Sequence, residues 1–489
     1  MNKSSILPYK KQRTVLGICC VFVLAFSACN KDLIERPRSV VAENFYNTAA
    51  EVQTAVGAVY SDLRANNHAV YIGFLDIISE YGYGRGSYAQ VNDFQAFNTN
   101  NVNRVGDFWN LFYLSIRDAN LVIKNAPHGK DISQADITSN VAEARFLRAL
   151  CYFHLVRCWG GVPLRTEENM DEPDLKRSSV DSVYQLILSD LNDAVTNLPQ
   201  TQAEVGRPTR YAAETMLADV DLNLGKYADA ATAAEAVISS GKYGLVPVTS
   251  TEGFQKIFGP DVTTTPEEVF YLKYTRQIGQ GNYMLWILNH PSTNYFNFGG
   301  SYANYGDDSI PFYKNWNNAD LRKGMWDTIN FGLGNTTLVC NKYRDNQAVS
   351  KDGAGNDQPE YRYAEVLLIY AEAACRAAGH PTAEAMEALN EVHRRAYGQN
   401  PTSPSAVDFK LADYDEDSFI DLVIQERGYE FQYEGKRWFT LKRTGKFQEA
   451  ILENRKINIP QAVYLWPIPV AEFNFNKALD PKTDQNPGY

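Results

Sequence analysis

Two stretches of this chain, residues 80–106 and 244–362, combine flat aromatic rings with amides, carboxylates and a guanidinium. That mixture can grip a sugar, because ring faces pack on the C–H faces of a pyranose while the polar groups match its hydroxyls. The first stretch holds Tyr81, Tyr83, Arg85, Tyr88, Asn92, Asp93, Phe94, Phe97 and Asn98. The second holds Tyr283, Trp286, Asn294, Tyr295, Phe296, Tyr302, Asn304, Tyr305, Asp307, Asp308, Trp316 and Trp326. For any single ring, interior packing is the better explanation, since Tyr and Phe fill cores everywhere. Density carries the expectation, which centres on Tyr81, Tyr83, Tyr88, Phe94, Asn98, Tyr295, Tyr302, Tyr305 and Trp316. Trp109 and Trp438 fall within helical patterns and are assigned to the core.

Signatures of catalysis are missing. Six histidines (His68, His128, His154, His290, His380, His393) are scattered, with no His-Glu-x-x-His, Cys-x-x-Cys or Gly-x-Ser-x-Gly pattern. Gly82-Tyr-Gly-Arg-Gly86 lacks dinucleotide spacing and is expected to be a flexible loop bearing aromatics. Asp352-Gly-Ala-Gly-Asn-Asp357 has the look of a calcium loop without its closing Glu. No catalytic residue, metal or cofactor is therefore expected. Glu426, Arg427, Glu430 and Glu434 are placed on one helix as framework, and Lys436, Arg437, Lys442, Arg443 and Lys446 as a solvated helix face. From another class, a surface glycoside hydrolase would pair Asp307 or Asp308 with Glu360.

Helices must hold these loops. Tyr211–Leu224, Gly225-Lys226 and Tyr227–Ile238 form a helix–turn–helix with small Ala faces, a tetratricopeptide pattern. A second pair runs from Tyr363–Ala373 through Gly379-His-Pro381 into 383–396. Two looser pairs join 48–65 with 108–125 and 142–159 with 180–198. The spacing thus predicts a mainly α, tetratricopeptide-like scaffold of about four pairs, near 48–125, 142–198, 211–239 and 363–397, with long irregular loops and a few short strands. A further helical block is expected from Ser418 to Phe439. Trp466-Pro-Ile-Pro469 cannot be helical.

The N-terminus supplies an address. Basic Lys3, Lys10, Lys11 and Arg13 precede an apolar run from Val15 to Phe26, then Ser27-Ala28-Cys29. This is signal-peptide grammar, and the run is short of the roughly 20 residues a spanning helix needs. Residues 1–28 are expected to be removed and Cys29 to be acylated, although Phe26 stands where the lipoprotein box prefers Leu. Ordinary secretion with a free Cys29 is the alternative. The chain of 489 residues, 44% hydrophobic with net charge −11, can bury a large core and offers no clustered basic surface for nucleic acid. No transmembrane span follows Cys29. Cys151, Cys158, Cys340 and Cys375 imply no disulfide framework; Cys151 and Cys158, seven apart on a helix and too far to bridge, are expected to be buried thiols, with a Cys151–Cys340 type of pair as the alternative.

Several landmarks recur in order: Cys29–Pro37, Ala142-Glu-Ala-Arg-Phe-Leu-Arg-Ala-Leu-Cys-Tyr-Phe153 with Gly161-Val-Pro-Leu164, Tyr361–Glu372, Glu426-Arg-Gly-Tyr-Glu-Phe431 with Gly435-Lys-Arg-Trp-Phe439, Pro467-Ile-Pro469 and Gln485-Asn-Pro-Gly-Tyr489. With these the mature chain, residues 29–489, resembles the SusD/RagB family of outer-membrane lipoproteins. The resemblance implies a tetratricopeptide body with ligand-binding loops, a SusC-like TonB-dependent transporter as partner, a carbohydrate oligomer as ligand, and attachment by lipid to the outer membrane, facing the exterior. A peptide ligand is the alternative within the family.

Overall fold

The computed structural model describes residues 45–94 and 99–489. The leader, Cys29, Phe97 and Asn98 lie outside the described residues.

Helices dominate, and their starts are written in the sequence. Helix α1 (Ala49–Leu63) opens on a capping box, in which Thr48 Oγ1 accepts from the Glu51 amide and the Glu51 carboxylate accepts from the Thr48 amide. Helices α4 (Gln134–Trp159), α5 (Val180–Asn197) and α6 (Arg210–Asn223) start behind Ser133, Ser179 and Thr209, whose hydroxyls take first-turn amides. Gly225, at φ +71°, turns α6 into α7 (Tyr227–Ser239), and Gly379, at φ +73°, ends α8 (Tyr363–Ala378) before α9 (Ala383–Ala396). Successive neighbours pack along the chain: α1 on α3 (Thr99–Asn125), α3 on α4, α4 on α5, and so on to α8 on α9. Buried Ala212, Ala213, Ala218, Ala230 and Ala234 let α6 and α7 approach closely. Trp109 and Trp438 are core residues, and the four cysteines are free and buried. Among the described residues no helix is long and apolar enough to cross a membrane.

Four features depart from the sequence reading, one of them the start of α4, at Gln134 rather than at 142. Helix α2 (Asn66–Ile77) follows α1 where no helix was expected, and α3 begins at Thr99 rather than near 108, inside an Asn-rich segment. Weak local propensity is overridden there by burial, as with Val105. The block beyond Asp415 is broken: α10 (Glu416–Glu430) ends before Glu434, and α11 (Arg437–Arg443) and α12 (Phe447–Arg455) follow.

The basic run is not a solvated face. Arg437 reaches Glu80 at 2.6 Å, Arg443 holds Glu372 at 2.6 and 2.7 Å, Lys436 meets Glu365 at 3.0 Å, and Lys442 donates to the Arg157 and Tyr464 carbonyls. Lys446 pairs at the surface with Asp421. Carboxylates on α8 and in the loop after α2 draw Lys436, Arg437 and Arg443 inward, and backbone carbonyls hold Lys442.

A larger buried ion cluster ties the loops to the scaffold. Arg322 pairs with Asp320, Glu426 at 2.8 Å and Glu430 at 3.1 Å. Arg362 pairs with Glu267, Glu430 and Glu434, Arg395 with Glu267 and Glu430, and Lys342 with Glu434. Glu430 thus serves three guanidinium groups. Burial alone would raise its pKa, but Arg395, Arg362 and Arg322 outweigh burial and hold it well below the usual carboxylate range.

Among the described residues, five short strands complete the fold. β1 (Glu268–Leu272) pairs antiparallel with β5 (Gln358–Arg362). β2 (Gly306–Asp307), β3 (Trp326–Thr328) and β4 (Thr337–Cys340) form a second sheet in the order β2-β4-β3, with Gly306 opposite Leu338 and Asp327 opposite Val339.

Candidate functional site

The second sheet gathers aromatic rings from distant segments. Tyr305 leads into β2, which pairs with β4, and the connection from β3 to β4 carries Phe331. The Asn330 side chain accepts from the Gly332 and Gly334 amides and shapes that hairpin tip. On the other side Tyr305 forms an isolated antiparallel bridge with Tyr83, with amide-to-carbonyl distances of 2.7 and 2.9 Å in the two directions.

The loop that presents Tyr83 is held by close approaches. Gly73 lets α2 meet the helical turn Met284–Leu288, since a Cβ there would lie 2.2 Å from Ile287 Cγ2. Gly82 sits against the Asp76 carbonyl, 2.5 Å from where its Cβ would be. Asn92 is buried and accepts the Gly84 amide at 2.8 Å. The expected flexible glycine loop is therefore a fitted one.

Tyr83 and Tyr305 stack with ring centroids 5.3 Å apart and planes 20° from parallel, and both are half-buried. Phe331 stands edge-on to Tyr305 at 6.4 Å. His290 stacks on Phe331 at 4.4 Å and 10°, and the Arg85 guanidinium lies 5.0 Å over the same ring. Arg85 donates to the carbonyls of Tyr302 and Ser301 at 2.9 and 3.3 Å, and Asp307 follows one residue beyond Gly306. Burial, with Arg85 nearby, lowers the His290 pKa, and burial raises those of Tyr83 and Tyr305. At neutral pH the platform therefore offers a neutral imidazole and two phenols, with the Arg85 guanidinium over Phe331 and the Asp307 and Asp93 side chains near the two tyrosines. Flat apolar faces rimmed by such donors and acceptors fit a polyhydroxylated ligand.

Of the residues picked from sequence, Tyr83 and Tyr305 meet here, and half-buried Tyr302 lies behind them with its ring 4.8 Å from Tyr88. Tyr295 instead lines a cleft of about 430 Å³ with Arg276, Arg344 and Asp345, its hydroxyl on Asp327. Four others are corrected. Tyr81 is 0% exposed and donates to Asp76, Tyr88 lies under the Arg104 guanidinium, Phe94 packs against Phe447, and Trp316 is 2% exposed, stacked on Tyr429 at 4.3 Å with its Nε1 on Asp320. They fill the interior and present no face to solvent.

Glu360 is likewise enclosed, beside His68 at 3.2 Å and His154 at 3.7 Å, and is no partner for Asp307 across a cleft. Asp357 is taken by Lys273 at 2.5 Å and the Tyr274 amide. Arg427 pairs with Glu365 on the neighbouring α8. Sequence reasoning missed Phe331 and His290. The signal for Phe331 was a lone aromatic in Asn330-Phe-Gly-Leu-Gly-Asn335, a turn with no core to fill.

A family model described as "SusD family" matches residues 284–489, and one described as "Starch-binding associating with outer membrane" matches residues 41–222. SusD-like protein P2 of Formosa agariphila is 28% identical across 96% of this chain and 98% of its own length. A SusD homolog from Bacteroides thetaiotaomicron superposes with TM-score 0.76 at 22% identity, covering 92% of this chain and 98% of the other. Surface glycan-binding protein A from the same organism, solved in complex with laminarihexaose, gives TM-score 0.73 at 21% identity, covering 90% and 99%.

Proposed function

We propose that this chain, which belongs to the SusD/RagB family, captures a carbohydrate oligomer at the outer membrane without turning it over and hands it to a SusC-like TonB-dependent transporter. One observation carries the ligand class. Tyr83, Tyr305 and Phe331, from three separate segments, converge as half-buried rings rimmed by Arg85, His290 and Asp307. A relative of the same fold was solved with laminarihexaose, which supports a glycan here. Acylation at Cys29 would keep the binder at the membrane beside its transporter, a tether that one acyl chain alone makes only marginal.

Rings that stay half-exposed are poised for sugar faces, whereas the acid pair expected of a hydrolase does not form: Asp307 stands at the platform and Glu360 is enclosed in the core. Affinity electrophoresis of the purified protein through gels carrying laminarin, starch and other polysaccharides tests the reading. Retardation by at least one polymer, with no reducing sugar released, is the expected result. Free migration in every gel, together with calorimetric binding of oligopeptides, would replace sugar with peptide. Co-purification of a TonB-dependent transporter with the lipidated protein tests the partner.

A further inference from the structure

The loop after α2 has a problem of unmet acceptors. Carbonyls at the end of a helix and through a tight loop lose their regular partners and must find others when buried. Those of residues 77, 79, 80, 82 and 92 all point to one group, the guanidinium of Arg455 at the end of α12, more than 360 residues further along the sequence. Its Nε donates to the Glu80 carbonyl at 3.2 Å and Nη1 to Asn92 at 2.9 Å, while Nη2 reaches Ser79 at 2.5 Å, Gly82, and Ile77 at 3.5 Å. The same guanidinium lies 4.2 Å over the ring of Tyr83. Among the described residues its partners are backbone carbonyls and rings, not a carboxylate.

Five donors in a planar fork suit this task, and the three donors of a lysine at one point do not. Gly82, whose carbonyl Arg455 takes, immediately precedes Tyr83, whose backbone is bridged to Tyr305. We infer that Arg455 is the positioning residue of the ligand platform: it gathers the loop 78–94, supports the Tyr83 ring, and thereby sets Tyr83 against Tyr305. This rests on Tyr83 and Tyr305 facing the ligand, as proposed above, but its deciding test, hydrogen exchange, needs no ligand.

Hydrogen exchange of the purified protein supplies the test. In Arg455→Met, amides of residues 78–94 and 302–307 should exchange at least tenfold faster while α4 to α9 keep their protection. Arg455→Lys should fall between, and millimolar guanidinium should restore protection to Arg455→Ala. Unchanged exchange in 78–94 and 302–307 would overturn the inference. So would a uniform acceleration of every segment in both Arg455→Met and Arg455→Lys, which would make Arg455 a general stabiliser. With laminarin as the gel probe, Arg455→Met and Tyr83→Ala should weaken retention non-additively, because one acts through the other. If Tyr305→Ala leaves laminarin retention intact, the platform reading fails while the exchange result still decides the role of Arg455.

Discussion

Tyr81 and Tyr83 stand two residues apart in one loop and do opposite work. Tyr81 is sealed in the interior with its hydroxyl on Asp76 and its ring stacked on Phe312 at 5.3 Å, whereas Tyr83 keeps part of its ring in solvent beside Tyr305. The contrast repeats on a larger scale. Trp316, Tyr429, Arg322 and Glu430 form a buried aromatic and ionic block, and Tyr305, Phe331, Arg85 and Asp307 form an accessible one from similar groups, two rings, a guanidinium and an acid. What separates them is saturation. In the buried block each charge faces an opposite charge, while Arg85 is fixed by two carbonyls and lies over a ring, with capacity left for a ligand.

The buried block should break hardest. Glu430→Ala leaves three guanidinium groups without a shared carboxylate and should destabilise the protein by about 3–5 kcal/mol. A lowered melting temperature by circular dichroism checks this, and an unchanged one would mean the cluster is solvated. Trp316→Ala removes a ring stacked on Tyr429 and should cost about 3–4 kcal/mol of stability. Below its melting transition it should still bind glycan, which calorimetry would show.

Acid tests the same block more gently. Burial raises the pKa of Glu426 and Glu372, but Arg322 with His393, and Arg443 with Arg376, outweigh it and hold each near 2. Groups depressed on folding stabilise above their unfolded value of about 4.5 and lose that contribution as pH falls toward 2. Urea midpoints should therefore be flat with respect to these two groups above pH 5. Below it each group should remove about 1.4 kcal/mol per pH unit. A midpoint constant to pH 3 would contradict the ion pairs. The smallest effect belongs to the accessible block: Arg85→Ala should change stability by less than about 0.5 kcal/mol. Thermal scans of that variant would expose a hidden structural role if the loss were larger.

The scaffold could be read from the chain because its signals are local. Ser179, Thr209 and the Gly225 and Gly379 turns mark helix ends within a few residues, whereas the helix behind Ser133 was expected only from 142. The division between platform and core is not local. Aromatic density marked the right loops, yet Tyr81, Tyr88, Phe94 and Trp316 were counted with Tyr83 and Tyr305, because which side of a loop faces solvent depends on partners hundreds of residues away. Side chains two apart share a face only in regular extended backbone, and the bend through residues 79–81 denies that rule to Tyr81 and Tyr83. The run from Lys436 to Arg443 failed for the same reason, since Glu80, Glu365 and Glu372 are far off in sequence. Arg455 carried no local mark at all.

On the reading proposed above, ligand binding belongs to the exposed rings and not to the buried ones. Calorimetric titration of one retained polysaccharide into the unmodified protein, Tyr305→Ala and Trp316→Ala tests it most directly. Tyr305→Ala should weaken binding at least tenfold, about 1.4 kcal/mol, with little loss of stability, while Trp316→Ala binds as the unmodified protein does. Equal affinity in Tyr305→Ala, or loss of binding in folded Trp316→Ala, would contradict the account.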